Sequence, residues 1–241
     1  MPEARAGARR GPGWEHECAL WDQGFRVVAG VDEAGRGAWA GPVVVAVVVL
    51  PVGAYPFDDS KRVPAPQRAL LARQVRASAL AWAVVEADAR EVDALGVLNA
   101  TLAAAERGVR ALAGQGVAVA EVERRVDAPV DALVTDYLRL PTERWDAWSG
   151  PRGLRHPPRA DAASFQVAAA SLLAKVHRDD VMRRAAVRWP LYGFDRHKGY
   201  GAAQHRAALE RHGPCVLHRE SFRPVAAAVR RGASQATEGP T

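Results

Sequence analysis

Short apolar runs and longer amphipathic stretches alternate along most of the chain. Runs rich in Val, Ala and Leu predict strands at residues 25–31, 43–52, 80–86 and 132–138. Apolar residues recurring every three to four positions predict helices at 66–77, 93–112, 165–187, 202–212 and 224–231. The first half of the third of these helices, FQVAAASLLAKV from Phe165, is apolar almost all round and predicts a buried helix.

The order of these elements predicts an α/β fold. Only a short turn joins the first two strands, which predicts an antiparallel hairpin at the start of a mixed β-sheet flanked by helices. Residues 140–160 are rich in Pro, Gly and Arg and predict an exposed basic loop. The 241 residues suit one large domain with a small appendage, or two domains.

Composition argues against membrane and disulfide-bonded classes. The longest apolar run, at 43–52, is far too short to cross a bilayer. The opening MPEARAGARRGPG lacks an apolar core and predicts a flexible arm rather than a leader. Cys18 and Cys215 are far apart and outside metal-ligand spacing, so we expect free thiols and a cytoplasmic location.

Positive charge is concentrated near the end of the chain. The formal net charge is +6, and residues 196–231 carry eight Lys or Arg against two acids, with four histidines besides. Such a region indicates a polyanionic partner, most simply nucleic acid. An Arg-rich, solvated surface with no partner is the alternative.

Residues 30–41, GVDEAGRGAWAG, hold the first candidate for chemistry. The glycine spacing does not fit a dinucleotide fingerprint, and the chain has no G-K-[ST] of a phosphate-binding loop. What remains is an acidic pair, Asp32 and Glu33, at the end of a strand. Taken alone, the segment also fits a hairpin with a solvated tip.

Two further acids stand at the ends of predicted elements. Asp136 ends the strand ALVTDYL, and Asp161 precedes the buried helix. Either could be an ordinary turn or helix-capping residue. Several carboxylates brought together would instead repel one another unless cations neutralised them, and oxygen-rich clusters suit pairs of hard divalent ions that act on phosphodiesters.

At this point several motifs together resemble a known family. GVDEAGRGAWAGPVVVAVVV, the DSK at 59–61, AASLLAKVHRD, YGFDRHKGYG and HRESF occur in the order found in bacterial ribonuclease HII, the type 2 ribonuclease H. The resemblance extends over residues 25–225. It implies a ribonuclease H-like mixed sheet flanked by helices, with a small helical C-terminal extension. The domains would be an arm at 1–14, a catalytic domain at 15–190, the extension at 191–231 and a disordered tail at 232–241.

The resemblance also implies an activity and a metal site. Members cleave the RNA strand of RNA–DNA hybrids and nick duplex DNA at embedded ribonucleotides, using two Mg²⁺ or Mn²⁺ ions held by four acids. Those acids correspond to Asp32, Glu33, Asp136 and Asp161. Asp179 and Asp180 are rivals for the fourth place, but the family's acid lies ten residues before the Ser of AAS, which gives Asp161. The resemblance further implies a monomer.

Recognition of the ribonucleotide is implied for a second group of residues. The family's glycine–arginine–glycine turn corresponds to Gly35, Arg36 and Gly37, and its ribose-sensing tyrosine to Tyr200. The 2′-hydroxyl is the feature that separates RNA from DNA, and glycine amides can approach it closely.

The remaining motif residues have both a substrate-binding and a structural interpretation. Lys61 and Lys198 are expected to face phosphates, with plain exposed lysines as the alternative. Ser171 and Lys175 share a face of the buried helix, and Lys175 needs either a phosphate or a carboxylate partner. His205 and His212 are interpreted as core or surface residues, and His218 as a hydrogen-bonded packing element.

The sequence departs from the family pattern at three places and leaves two other functions to consider. Tyr137 stands where the family has Gly, Arg159 where it has Lys, and Ala38-Trp39 where it has Pro-Leu. A DNA-only nuclease or recombinase of the same fold class is one alternative function. A non-catalytic hybrid-binding protein is the other, although a mere binder gains nothing from acids beside phosphates.

Overall fold

The structure is a computed structural model, and it describes residues 11–58, 60, 62–125, 129–136, 138–140 and 150–237, with side chains as far as residue 231. The strands are β1 (Val28–Ala34), β2 (Val43–Val49), β3 (Ala81–Ala87), β4 (Glu121–Arg124), β5 (Ala132–Thr135) and β6 (Gly153–Arg155). The helices are α1 (Glu15–Trp21), α2 (Ala65–Ser78), α3 (Ala89–Leu95), α4 (Val97–Leu112), α5 (Phe165–Arg188), α6 (Phe194–His197), α7 (Ala203–His212) and α8 (Arg223–Thr237).

The six strands form one mixed sheet in the order β4-β3-β2-β1-β5-β6. Strand β1 pairs in parallel with β5, and β5 pairs in parallel with β6. All seven residues of β2 are buried, because an unbroken run of Val and Ala gives both faces apolar side chains. The prediction of a mixed sheet flanked by helices is therefore confirmed.

Helix α5 packs closely on the start of β1. A Cβ atom placed on Gly30 would lie 2.2 Å from the carbonyl carbon of Gln166, so only glycine allows this approach. The buried Gln166 side chain accepts a hydrogen bond from the Leu50 amide (2.9 Å) and donates one to the Val28 carbonyl (2.6 Å). A polar residue in an apolar helix thus satisfies backbone groups at the sheet.

The described residues form two compact units. The first falls within Met1–Asp32, Val47–Trp82 and Glu123–Leu172, and the second within Glu33–Ala46, Ala83–Val122 and Leu173–Thr241. In the second unit, the two ring nitrogens of His177 bond to Glu86 (2.7 Å) and Glu121 (2.8 Å). This side chain therefore ties α5 to β3 and β4. The predicted domain boundary at residue 190 coincides with neither unit, and the predicted domains stay a prediction.

Several predicted elements differ from the structure. The strand predicted at 25–31 is β1, which extends to Ala34, and the strand predicted at 132–138 ends at Thr135. The helix predicted at 93–112 is two helices, because Gly96 adopts φ 76° and ψ 150° and interrupts it. The first of these helices begins four residues earlier than predicted, with Asp88 as its capping residue, since the Asp88 side chain accepts a hydrogen bond from the Glu91 amide at 2.8 Å. Within the predicted loop at 140–160, Gly153–Arg155 forms β6, while residues 141–149 lie outside the described part.

Both ends of the described chain are more ordered than predicted. Gly13 bridges to Ser164 in parallel fashion, and the Trp14 indole donates to the Gly53 carbonyl at 2.7 Å, although both residues fall in the predicted arm. Helix α8 continues to Thr237, six residues beyond its predicted end. Cys18 and Cys215 are free, as expected. No helix in the described ranges has the length and apolar character needed to cross a bilayer.

Candidate active site

Two of the predicted acids occupy adjacent positions on neighbouring parallel strands. Val31 of β1 lies opposite Thr135 of β5, and both are buried. Asp32, which is still within β1, and Asp136, which directly follows β5, come next, so they lie side by side on strands about 4.8 Å apart. Asp32 is only 6% exposed, whereas Asp136 is half-buried.

A hydrogen bond to a backbone amide places Asp136 next to the turn that contains Asp161. The Asp136 carboxylate accepts a hydrogen bond from the Ala160 amide at 3.0 Å. The next residue, Asp161, is 3% exposed and lies in a short 3-10 turn, Ala160–Ala162, just before α5. The first compact unit therefore brings Asp136 next to the turn that carries Asp161, on the strand beside Asp32.

Glu33 follows Asp32 in β1 and pairs locally. Its Oε1 accepts from the Arg36 guanidinium at 3.1 Å. The rival acid Asp179 pairs with Lys175 at 2.6 Å, one helical turn away, and Asp180 pairs with Arg183. Both rival acids therefore have partners within their own helix, and the choice of Asp161 as the fourth acid stays a prediction.

The donor set fits a hard divalent cation in chemistry. Carboxylate oxygens are the ligands that Mg²⁺ and Mn²⁺ prefer. In the described part of the chain, however, no group of three or more His, Cys, Asp or Glu side chains is already arranged to hold a metal ion. Asp136 and Glu33 point to the hydrogen-bond partners named above.

The turn after β1 contains the predicted glycine–arginine–glycine segment. Gly35 adopts φ +96°, and a Cβ atom on it would lie 1.9 Å from the Nε of Arg178, so no side chain fits there. Arg36 and Gly37 are exposed, and a Cβ on Gly37 would meet nothing within 4 Å. Gly35 is thus fixed by its surroundings, while the next two residues face solvent.

Tyr200 lies in the same compact unit as this turn. It is 39% exposed, and the Arg178 guanidinium carbon lies 5.2 Å from the centre of its ring. Two residues before it, Lys198 adopts the left-handed conformation (φ 52°), which costs a non-glycine residue free energy and often occurs at functional sites. The Lys198 ammonium group donates to the Asp195 carbonyl.

A pair of hydrogen-bonded histidines contacts the backbone of Tyr200. His205 bonds through Nδ1 to the Tyr200 carbonyl (2.9 Å) and through Nε2 to Nε2 of His218 (3.1 Å). Burial lowers the pKa of each histidine to about 4, so both are neutral at pH 7. These contacts agree with a packing role for both residues.

The other predicted contact residues have varied surroundings. Ser171 is buried, and its hydroxyl lies 2.9 Å from the hydroxyl of Ser60 in the DSK motif. Lys175 forms the ion pair with Asp179, the structural alternative considered from the sequence. Lys61 lies outside the described residues, as does Tyr137, so their predicted roles stay predictions.

Two buried arginines that sequence reasoning did not single out hold the turn after β1. Arg178 and Arg219 are both 0% exposed. They stand inside the motifs AASLLAKVHRD and HRESF, but arginine is usually a surface residue and their burial is not visible from sequence. The one available signal was that Arg178 follows a helix half that is apolar almost all round.

Arginines also line a cleft at the C-terminal helices. Arg206, Arg223 and Arg231 surround a cavity of about 270 Å³ between α7 and α8, together with Glu210. The three cations outnumber the one acid. This surface agrees with the basic region predicted for residues 196–231.

Comparison with known proteins identifies the family. The family model for ribonuclease HII matches residues 29–225. The chain belongs to the ribonuclease HII family. A ribonuclease HII of Thermus thermophilus is 52% identical over 212 residues, covering 88% of this chain and 93% of that protein. Ribonuclease HII of Herpetosiphon aurantiacus is 42% identical over 226 residues, covering 90% and 98%.

Solved structures share the fold at low identity. Ribonuclease H2 from Pyrococcus horikoshii superposes with a TM-score of 0.65 at 22% identity, covering 86% of this chain and 98% of that one. RNase HII of Archaeoglobus fulgidus, solved in a complex with PCNA, gives 0.61 at 21% identity, covering 82% and 96%. Bst-RNase HIII in complex with Mn²⁺ gives 0.60 at 19% identity, covering 86% and 70%.

Family membership settles the class of activity. The chain is a metal-dependent ribonuclease H, an endonuclease that acts on RNA–DNA hybrids. The resemblance found in the sequence motifs is thereby confirmed. The enzyme assignment also excludes the non-catalytic binding protein considered above.

Proposed function

We propose that the chain nicks duplex DNA on the 5′ side of an embedded ribonucleotide, besides cutting RNA tracts in hybrids, and leaves 3′-hydroxyl and 5′-phosphate ends. The observation that carries the proposal is the placement of Asp32 and Asp136 at adjacent positions of neighbouring parallel strands, with the turn that contains Asp161 hydrogen-bonded to Asp136. Clustered carboxylates beside a polyanionic substrate serve a metal-dependent hydrolase and no simple binder.

The proposed metal ligands are Asp32, Glu33, Asp136 and Asp161. Two divalent ions, Mg²⁺ or Mn²⁺, would supply activated water for in-line attack and stabilise the departing 3′-oxygen. Bst-RNase HIII, which shares the fold, was crystallised with Mn²⁺. The task of the chain's own carboxylates would be to hold the ions where the scissile phosphate binds.

Recognition of the ribonucleotide is proposed for the turn and the tyrosine. Exposed backbone at Arg36 and Gly37 can approach the 2′-hydroxyl, and the Tyr200 ring can stack beneath a sugar or base. Four side chains are proposed to contact the backbone of the duplex: Lys61, Ser171, Lys175 and Lys198. Lys175 would do so while it keeps its ion pair with Asp179.

We further propose that the enzyme acts as a monomer in the cytoplasm.

The first test uses a DNA duplex with one ribonucleotide, incubated with Mg²⁺ or Mn²⁺ and then with chelator. We expect a single nick on the 5′ side of the ribonucleotide that chelator abolishes. An all-DNA duplex is the control, and cutting of that duplex would favour the DNA-only alternative. Failure to nick the ribonucleotide duplex with either metal would contradict the proposal.

Asparagine variants decide the fourth acid. Asp161→Asn should lower kcat by at least about 100-fold, since a lost carboxylate ligand weakens charge stabilisation in the transition state. Asp179→Asn removes the intrahelical partner of Lys175 and should keep kcat within about threefold. Initial nicking rates measure both. Full activity of Asp161→Asn together with lost activity of Asp179→Asn would show that Asp179, and not Asp161, is the fourth metal ligand.

A further inference from the structure

Arg178 is a fully buried cation whose hydrogen bonds go to backbone carbonyls. Its Nε donates to the Pro42 carbonyl at 3.0 Å and its Nη2 to the Ala40 carbonyl at 3.2 Å. Within the described residues, its buried Nη1 has no hydrogen-bond partner. Taking a charge out of water is energetically costly, and an apolar residue would fill the same space at less cost. Packing alone therefore does not account for an arginine here.

The same side chain contacts both proposed ribose-recognition elements. If position 35 carried any residue other than glycine, its Cβ atom would overlap the Arg178 Nε. The Arg178 guanidinium carbon also lies over the Tyr200 ring, 5.2 Å from the ring centre. A planar guanidinium can donate in its plane and stack on a ring at once, which an ammonium group cannot do. Arg178 thus touches the beginning of the turn, its end and the tyrosine.

Arg219 completes the support of this turn. Its guanidinium donates to the carbonyls of Arg36 (2.9 Å) and Gly41 (3.0 and 2.8 Å). Two amides of the turn also donate hydrogen bonds. The Trp39 amide donates to the Gly199 carbonyl and the Gly41 amide to the Leu217 carbonyl, both at 2.8 Å. A glycine-rich turn that would otherwise move freely is held at both ends by two buried arginines.

We infer that Arg178 is a positioning residue for ribose selectivity, because it sets the Gly35 turn and the Tyr200 ring in one fixed arrangement. This inference rests on the proposed role of that turn and ring. Ribose and deoxyribose differ by one oxygen atom, so discrimination by hydrogen bonding requires the protein groups to be held within about 0.5 Å. Binding through phosphates tolerates much looser geometry.

The test is Arg178→Lys in the full-length protein. Lysine keeps the charge but cannot bond both carbonyls while it covers the ring. Dissociation constants are measured in chelator for a duplex with one ribonucleotide and for the same duplex in all-DNA form. In the wild-type protein, the dissociation constant of the all-DNA duplex should exceed that of the ribonucleotide duplex. We expect this ratio, all-DNA over ribonucleotide, to fall about tenfold in the variant, while the dissociation constant of the all-DNA duplex stays within about twofold. Hydrogen exchange at the Trp39 and Gly41 amides should quicken.

Two controls separate positioning from general damage. Arg188→Lys also removes an arginine over an aromatic ring in α5, since Arg188 covers Trp189 at 4.9 Å. Leu112→Ala, in the core of α4, lowers stability without a change in this turn. Both should keep the wild-type ratio of dissociation constants.

The outcomes distinguish this inference from the proposed function. A wild-type protein that nicks and discriminates normally, beside an Arg178→Lys variant with an unchanged ratio and unchanged amide exchange, would overturn the inference alone. A wild-type ratio of one would overturn the ribose-recognition part of the proposed function and the inference with it. If the Leu112→Ala control also lowered the ratio of dissociation constants, loss of stability alone would account for the effect of Arg178→Lys. That result would overturn the inference.

Discussion

Glu17 is a buried carboxyl in α1 that stabilises the fold only while it is protonated. Burial raises its pKa to about 6 from 4.5, although the Ser164 hydroxyl donates a hydrogen bond to it. A folded-state pKa above the unfolded value means that the stabilisation is complete below pH 4.5 and is lost as the pH rises through about 6.

Glu17→Gln should therefore stabilise the protein at neutral and alkaline pH. The amide cannot ionise but keeps an acceptor for Ser164. At pH 8 we expect the free energy of unfolding to rise by about 2 kcal/mol, and the gain to vanish toward pH 4.5. Urea unfolding at several pH values measures this. Glu15→Gln, an exposed acid of the same helix, should change stability by at most about 0.5 kcal/mol. A pH-independent effect of Glu17→Gln would contradict the explanation.

Candidate residues can be chosen from sequence where their chemistry depends on residue type alone. The acids at Asp32, Asp136 and Asp161 stand out because carboxylates at the ends of apolar elements are visible in sequence. Arg178 and Arg219 do not stand out, because their importance lies in burial and in carbonyl partners more than 130 residues away. Sequence separation hides such contacts.

Among the elements, the close packing of β1 and α5 depends on one missing side chain. Gly30→Ala would place a methyl group within 2.2 Å of the Gln166 backbone, where neither strand nor helix can give way cheaply. We expect a loss of about 3 kcal/mol in the free energy of unfolding. Chemical denaturation at pH 7 is the measurement.

A matched glycine provides the control for this substitution. A Cβ on Gly116 would meet no atom within 4 Å, so Gly116→Ala should change stability by less than about 1 kcal/mol in either direction. Equal effects of the two substitutions would show that the contact with Gln166 is not what requires glycine.

Elements were predicted well where the pattern was long and poorly where it was short. The buried helix predicted at 165–187 is α5, one residue longer, because its apolar pattern extends over several turns. Strands β4 and β6 have only four and three residues and were missed, since a segment that short carries no periodicity. The interruption at Gly96 depends on a positive φ that the surrounding helical pattern does not reveal.

At the scale of the whole molecule, positive charge suggests how a nucleic-acid substrate would be bound. The net charge is +6, and Arg223 and Arg231 line the cleft between α7 and α8. Phosphate contacts release counterions, so the logarithm of the affinity for duplex should fall linearly as the logarithm of the salt concentration rises. Replacing both arginines by Gln should reduce that slope by about 1 to 2, whatever the sequence of the duplex.

Fluorescence anisotropy at several salt concentrations gives the slope. Arg73→Gln, an exposed arginine of α2 outside the basic region, is the control and should leave the slope unchanged. If the double variant keeps the wild-type slope as well, the cleft does not contact the phosphates.

The bridge from Gly13 to Ser164 has a practical consequence for protein engineering. The Gly13 amide donates to the Ala163 carbonyl at 3.0 Å, and its carbonyl accepts from Phe165 at 3.1 Å, within four residues of Asp161. A purification tag or fusion partner attached just before this glycine would disturb the backbone next to the turn that contains Asp161, a proposed metal ligand. Leaving several native residues between such an attachment and Gly13 is the safer design, and trimming past Trp14 would remove both of these backbone hydrogen bonds and the one from the Trp14 indole to Gly53.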